Sequence, residues 1–260
     1  MIPASFTLAG RVALVTGAGS PDGIGFAVAG LLGDLGASVA VASTTVRISD
    51  RVADLTAAGI SASGHIADLT QEDAAARLVA EAVDAHGALD IVVNNAGMVS
   101  VGSGTESGSL LGMDLATWRA GIARNLDSAF LVCRAAMPHL IAREWGRIVN
   151  VSSVTGPVMA TRDEAAYATA KAGMDGLMRS MAIDFATAGV TANSVAPGWI
   201  ATGSQTPHEH AQGLRTPLGR SATPQEVASA VAWLCTPGAA YVTGQCIVVD
   251  GGNSIAEERA

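Results

Sequence analysis

Cysteine is scarce in this chain, and so is charge. Three cysteines, Cys133, Cys235 and Cys246, occur in 260 residues. They are too few and too scattered for a disulfide framework, and no C-x-x-C pair suggests zinc, so no metal is expected. A reducing cytoplasm is the simplest home. Charged residues make up 15% of the chain, well under the roughly 25% of an average soluble protein. Basic clusters are missing as well: Lys and Arg number 15 against 23 Asp and Glu, for a formal charge of -8. That balance argues against nucleic acid, whose phosphates need a basic stripe, but leaves room for a lone nucleotide cofactor. No apolar stretch reaches the roughly 18 residues that span a bilayer. Met1 to Gly10 has neither the basic region nor the apolar core of a secretory signal, so no membrane partner is expected.

Apolar residues, by contrast, are abundant at 49%. Such a chain buries much of its surface, some of it between subunits. Short apolar runs alternate with longer amphipathic ones. Arg11–Thr16, Ser38–Ser43, Gly64–Ala67, Leu89–Asn94, Arg147–Ser152, Val190–Ala196 and Gln245–Val249 read as strands. Gly25–Leu35, Asp50–Ala58, Gln71–His86, Leu115–Ile141, Glu164–Ala186 and Pro224–Leu234 read as helices long enough to cross over a sheet face. The pattern predicts an α/β, doubly wound parallel sheet of about seven strands with helices on both faces. No repeat or low-complexity linker divides it, so residues 1–260 are expected to form a single domain. Two segments break the rhythm, Met98–Asp114 with its Gly and Ser, and Trp199–Leu218 with turn formers at Gly203, Pro207 and Gly213. Both follow strand ends on the edge where open α/β sheets hold ligands, which makes them candidate substrate-facing loops.

Three groups of residues carry chemistry. Gly17, Gly19, Gly23 and Gly25 sit between the first strand and a helix, where missing Cβ atoms let backbone N–H groups approach a pyrophosphate. The second strand ends at Ser43-Thr44-Thr45 with Arg47 beyond and no carboxylate, so a 2′-phosphate is expected and NADP is favoured over NAD. Arg47 also has a plainer reading as a solvated surface charge. Tyr167 and Lys171 stand one helical turn apart, so phenol and ammonium share one face. The cation is expected to bring the phenol's pKa, ordinarily near 10, down toward the working range, and Ser153 to hold a carbonyl oxygen for protonation. Ser152 and Ser153 face opposite ways on the strand, and alternation by itself does not choose between them. His208 and His210 read as loop surface histidines, and Met174, Met178 and Met181 as core or interface.

Together the glycine turn, Asn94-Asn95-Ala96-Gly97, Ser153, Tyr167-x-x-x-Lys171 and Pro197-Gly198-Trp199-Ile200-Ala201-Thr202 resemble the short-chain dehydrogenase/reductase family, similar to its 3-oxoacyl-carrier-protein reductases, from about Gly10 to Gly252. Here five residues separate Gly17 from Gly23, a local expansion at Ser20-Pro21-Asp22. The resemblance implies a ketone–alcohol oxidoreductase acting on small molecules as a homotetramer. It implies that Ile24 completes the glycine turn, that Asn95, Ala96 and Gly97 close over the adenosine and ribose, and that Asp68 and Leu69 meet the adenine, although Asp68 also suits a turn-capping role. Pro197, Gly198, Ile200 and Thr202 would meet the nicotinamide, Lys171 its ribose, and Asn125 would support a water leading protons to Lys171. A mid-helix Asn can instead serve the backbone of a helix bulge. Two rivals stand beside the favoured NADPH-dependent reductase: an NAD-dependent alcohol or sugar-alcohol dehydrogenase, and a dinucleotide-binding sensor or scaffold without turnover.

Overall fold

The structure, a computed structural model, describes residues 2–97 and 108–258. Seven parallel strands are hydrogen-bonded in the order β3-β2-β1-β4-β5-β6-β7: β1 Val12–Thr16, β2 Ser38–Ser43, β3 Ala62–Ile66, β4 Ile91–Asn94, β5 Gly146–Val151, β6 Val190–Pro197 and β7 Cys246–Val249. Every residue of β1, β4, β5 and β6 is buried. Helices cover both faces of a parallel sheet, so its inner strands have no reason to alternate polar and apolar residues, which is why they read as unbroken apolar runs. On one face α1 (Ile24–Asp34), α2 (Ile48–Ala57) and α8 (Pro224–Cys235) enclose a core that includes Val15, Leu32, Val41 and Val231. On the other, α3 (Glu72–His86), α5 (Ser128–Ala142) and α6 (Ala165–Asp184) pack over Leu14, Leu78, Leu140 and Ile148, while α4 (Leu115–Ile122) lies against α6. Met174, Met178 and Met181 belong to this interior. Each side chain so buried contributes about 1.5–3 kcal/mol.

Three expectations need correction. The helix expected over Leu115–Ile141 is broken by a π turn at Ala123–Asp127. There the Asn125 Nδ2 donates to the Gly121 carbonyl at 3.1 Å and Ser128 Oγ to the Arg124 carbonyl at 2.6 Å, so side chains take acceptors that a regular ladder would use. The segment Trp199–Leu218 is not irregular throughout. It contains α7 (Pro207–Gly213), opened by Pro207 and by a capping box in which Thr206 and Glu209 bond each other's backbone N–H. The third strand starts and ends earlier than expected. Of the other irregular segment, residues 98–107 lie outside the described residues.

Opposite the cofactor edge, Asp90 just before β4 is fully buried and accepts from Arg11 Nη1 at 2.9 Å, Val12 N at 3.0 Å and Arg143 Nε at 3.1 Å. One carboxylate thus joins the starts of β1 and β4 to the turn after α5. Arg11 and Arg147 both stack on Trp145, at 3.9 and 4.1 Å from its centroid. Burial brings the Arg147 guanidinium down to about 10. Replacing Asp90 with Ala leaves a buried N–H and two cations unmatched. Because water reaches both arginines, we expect a loss of about 2–3 kcal/mol, below the full cost of breaking a buried pair. Urea denaturation checks this, and a loss under about 0.5 kcal/mol would contradict it.

Candidate active site

β1 and β4 are adjacent in the sheet but not in sequence, and the chain turns opposite ways beyond them, so a crevice opens at their C-terminal ends. The glycine turn leaves β1 there. Gly17 has φ +69°, and a Cβ on it would come within 2.8 Å of the Ala96 backbone. A Cβ on Gly25 would meet Asn95 Nδ2 at 2.5 Å and the Gly17 carbonyl at 2.7 Å. Thr16 Oγ1 accepts from both Asn95 N and Ala96 N at 3.1 Å, and Asn95 Nδ2 donates back to the Thr16 and Gly17 carbonyls at 3.1 and 3.0 Å. The turn and the Asn95-Ala96-Gly97 segment are therefore locked together by contacts that only glycine permits. Gly19 lies against Ser43, with a Cβ placed there 2.9 Å from Ser43 Cβ, which brings the end of β2 to the same crevice. Gly23 precedes α1 as its N-cap, and Asp22 of the expanded turn approaches Gly203 of the segment before α7.

A cavity of about 830 Å³ opens beyond this crevice, over the ends of β4, β5 and β6. Ile24, Asn95, Gly97, Asn125, Ser153, Tyr167, Lys171, Pro197, Gly198, Ile200 and Thr202 all line it. Gly17, Gly19, Gly23, Gly25, Ser43, Thr44, Arg47, Asp68, Leu69 and Ala96 do not; they lie in the glycine turn and at the neighbouring strand ends. Ser43 Oγ is engaged by Thr45, donating to its carbonyl at 2.9 Å. Arg47 is exposed, with Nε on Thr45 Oγ1 at 3.3 Å. Asp68 caps its own turn through Thr70 N at 3.1 Å and Thr70 Oγ1 at 2.7 Å, and Leu69 is buried in the core.

The choice between two serines is decided by β5. Ser152 Oγ points into α6 and donates to the Lys171 carbonyl at 3.2 Å, whereas Ser153 Oγ accepts from Thr155 N at 3.1 Å and lines the cavity beside Tyr167. Lys171 is the only lysine in the 260-residue chain. It is buried, donates to the Val151 carbonyl at 2.8 Å, and stands 5.6 Å from the centroid of the Tyr167 ring. Burial pulls its ammonium down to about 8, with Asp175 acting in the opposite direction. Tyr167 departs from expectation. Burial, first, and then the charges of Glu164 and Glu209 push its phenol up from the ordinary value, while the neighbouring Ser153 hydroxyl pulls it down. Lys171 does not reverse that. Burial decides the net direction, so the phenol moves up where the one-turn spacing led us to expect it down.

Asn125 is placed by the π turn with Nδ2 on Gly121 and Oδ1 buried and, among the described residues, unpartnered, so the bulge role and an open acceptor occur in one side chain. A Cβ on Gly97 would lie 2.8 Å from that Oδ1 and 3.4 Å from Lys171 Nζ, so the bare glycine keeps the space between them open. Gln205, His208 and Gln212, from the candidate substrate-facing segment Trp199–Leu218, line the same cavity together with Met159 and Arg162. His208 belongs to α7 and not to a loop, and Thr206-x-x-Glu209 with Pro207 was the signal that could have found that helix. Among the described residues no cluster of three or more His, Cys, Asp or Glu is arranged to hold a metal ion, and no helix is long and apolar enough to cross a membrane.

The donor set fits a dinucleotide: a cradle without Cβ atoms at the switch point, an unpartnered Asn125 oxygen and a buried cation facing one cavity. Fold and cavity thus define an oxidoreductase of the doubly wound, nicotinamide-dinucleotide class. Residues 17–254 match the family model described as enoyl-(acyl carrier protein) reductase. The chain is 38% identical over 246 residues to cis-4-hydroxycyclohexanecarboxylate dehydrogenase of Sinomonas cyclohexanicum, covering 93% of this chain and 96% of that protein. It is 38% identical over 249 residues to a 3-oxoacyl-[acyl-carrier-protein] reductase of Vibrio cholerae, covering 94% and 98%. A 7α-hydroxysteroid dehydrogenase solved with NADH and 7-oxo glycochenodeoxycholic acid superposes with a TM-score of 0.89 at 29% identity, covering 99% of this chain and 100% of that one. The chain belongs to the short-chain dehydrogenase/reductase family. It is an NAD(P)-dependent oxidoreductase that interconverts ketones and alcohols among small-molecule substrates.

Proposed function

We propose that the chain, acting as one domain over residues 1–260, is a cytoplasmic NADPH-dependent reductase of ketones, or the same reaction run from the secondary alcohol, with Tyr167 as its acid/base. The observation that carries this reading is the meeting of Asn125, Ser153, Tyr167 and Lys171 in one cavity. Gly17, Gly19, Gly23, Ile24 and Gly25 would receive the pyrophosphate, Asn95, Ala96, Gly97, Asp68 and Leu69 the adenosine half, and Pro197, Gly198, Ile200, Thr202 and Lys171 the nicotinamide half. When bound there, the dinucleotide supplies or accepts hydride at the carbonyl carbon. Ser153 and Tyr167 hold the substrate oxygen between two hydroxyls. The Tyr167 phenol, raised by burial, is in its protonated form at neutral pH and so carries the proton that an oxygen gaining charge would take. Lys171, charged below about pH 8, stabilises the phenolate left behind, and Asn125 Oδ1 has an acceptor free for the water that returns the proton.

Tyr167→Phe keeps the ring and removes the proton. We expect turnover of a responsive ketone or alcohol to fall by about 10²–10⁴-fold with dinucleotide affinity retained, read by absorbance at saturating cofactor. No turnover of a broad ketone and alcohol panel by the wild type, with dinucleotide still bound, would instead make the chain a sensor.

Ser43, Thr44 and the exposed Arg47 support the preference for NADP, since no carboxylate ends β2 to repel a 2′-phosphate. The ratio of kcat/KM for NADPH over NADH should exceed one, and Arg47→Ala should lower it by about tenfold, the worth of one charge-assisted contact. A wild type that prefers NADH is the alcohol dehydrogenase rival.

A homotetramer is part of the same reading. Leu115, Phe130, Ile141 and Ile183 are exposed on α4, α5 and α6, and packing against sister chains would cover them. Light scattering at micromolar concentration is expected to return four times the chain mass; a monomer refutes it.

A further inference from the structure

Tyr167 and Lys171 do not end the pattern on α6. Continuing at four-residue steps, the same stripe holds Asp175 and then Arg179. Phenol, cation, anion and cation thus run in line from the cavity to the surface, where Arg179 is exposed. Asp175 is unusual among them. It is 1% exposed, and among the described residues no N–H or O–H donates to either carboxylate oxygen, the Cys246 thiol being the group beside it. A buried carboxylate in that state is costly unless a charge compensates it. Lys171, one turn away, is 3% exposed and has a complementary need, because its hydrogen bond to the Val151 carbonyl offers a dipole and no charge.

The surroundings of both groups are defined. Around Lys171 stand Tyr167, the Val151 carbonyl and, across the space kept by Gly97, Asn125. Beside Asp175 stand Arg179 on its own helix and Cys246 on β7. The Cys246 thiol is pushed up to about 12, by burial first and then by the Asp175 charge and the pull of that carboxylate on the thiol proton, with Arg179 opposing. The carboxylate's field therefore reaches Cys246 on one side as it reaches Lys171 on the other.

We propose that Asp175 is a positioning residue of the active site, the buried counter-ion that holds the charge on Lys171, with Arg179 drawing part of that field toward the surface. The inference rests on the functional reading above for its bearing on turnover, but not for its test. Asp175 does not line the cavity that Lys171 enters, so it acts through Lys171.

The single lysine makes the test direct. Full-length protein grown with lysine labelled by ¹³C at Cε gives one lysine signal, whose pH titration reports Lys171 alone. The wild-type midpoint is expected near 8. Asp175→Asn should move it to lower pH by about one unit or more, the usual effect of losing a neighbouring opposite charge. Asp175→Glu should restore it, and Arg179→Gln should move it to higher pH. In the pH profile of turnover, the alkaline loss should begin correspondingly earlier in Asp175→Asn. An Asp175→Asn protein with native circular dichroism and an unmoved lysine midpoint overturns the proposal. Should that variant fail to fold, an Arg179→Gln midpoint equal to wild type overturns it equally. Because the signal reads protonation and not turnover, an inert wild type with the titration intact would count against the functional reading alone.

Discussion

Thr16 Oγ1 accepts hydrogen bonds from two successive backbone N–H groups, those of Asn95 and Ala96, across the seam between β1 and β4. Much else depends on that contact. It brings the turn after β1 and the segment after β4 so close that Gly17 and Gly25 have no room for a Cβ, and it is reciprocated by the Asn95 amide on the turn's own carbonyls. The crevice for a dinucleotide exists because the connections diverge beyond this seam, and it keeps its shape because the seam is doubly tied. Asp90 does similar work at the opposite ends of the same two strands. β1 and β4 are thus fixed at both ends by the chain's own contacts.

From that seam the chemistry follows through burial. Gly97 leaves a gap between Asn125 and Lys171, and the π turn aims Asn125 into it. The low-polarity setting then acts in opposite senses on the two titrating groups: it raises the phenol and lowers the ammonium. Below about pH 8 this leaves a neutral phenol beside a charged amine, the pairing that suits proton donation to a carbonyl oxygen. Glu164 and Glu209 reinforce the raised phenol, and Asp175 resists the lowering of the amine. Cavity walls and helix stripe therefore contribute to the electrostatics as much as the motif residues do.

The two strand-end serines and the helix before them show how far a linear reading reaches. Alternation on a strand says that Ser152 and Ser153 face apart, but only the position of α6 says which faces the cavity, since Ser152 is spent on the Lys171 carbonyl. Likewise, an asparagine in mid-helix is visible in the sequence, while the π turn that it stabilises depends on the Gly121 carbonyl accepting its amide. The helix α7 was legible from its capping residues and was obscured by the weight given to Gly203, Pro207 and Gly213 as turn formers.

The sequence by itself determined the doubly wound sheet, because strands buried on both faces must be apolar throughout and crossover helices must be amphipathic; it also determined that Tyr167 and Lys171 share one helix face, because the helix period sets them one turn apart. Tertiary structure alone decided the protonation balance. The direction of the Tyr167 shift depends on how deeply the phenol is buried and on carboxylates from two separate segments. The charge on Lys171 depends on how deeply it is buried and on whether Asp175 compensates it. Spacing along a chain says which groups can meet, but the electrostatic energy of their meeting is set by the water that folding removes around them.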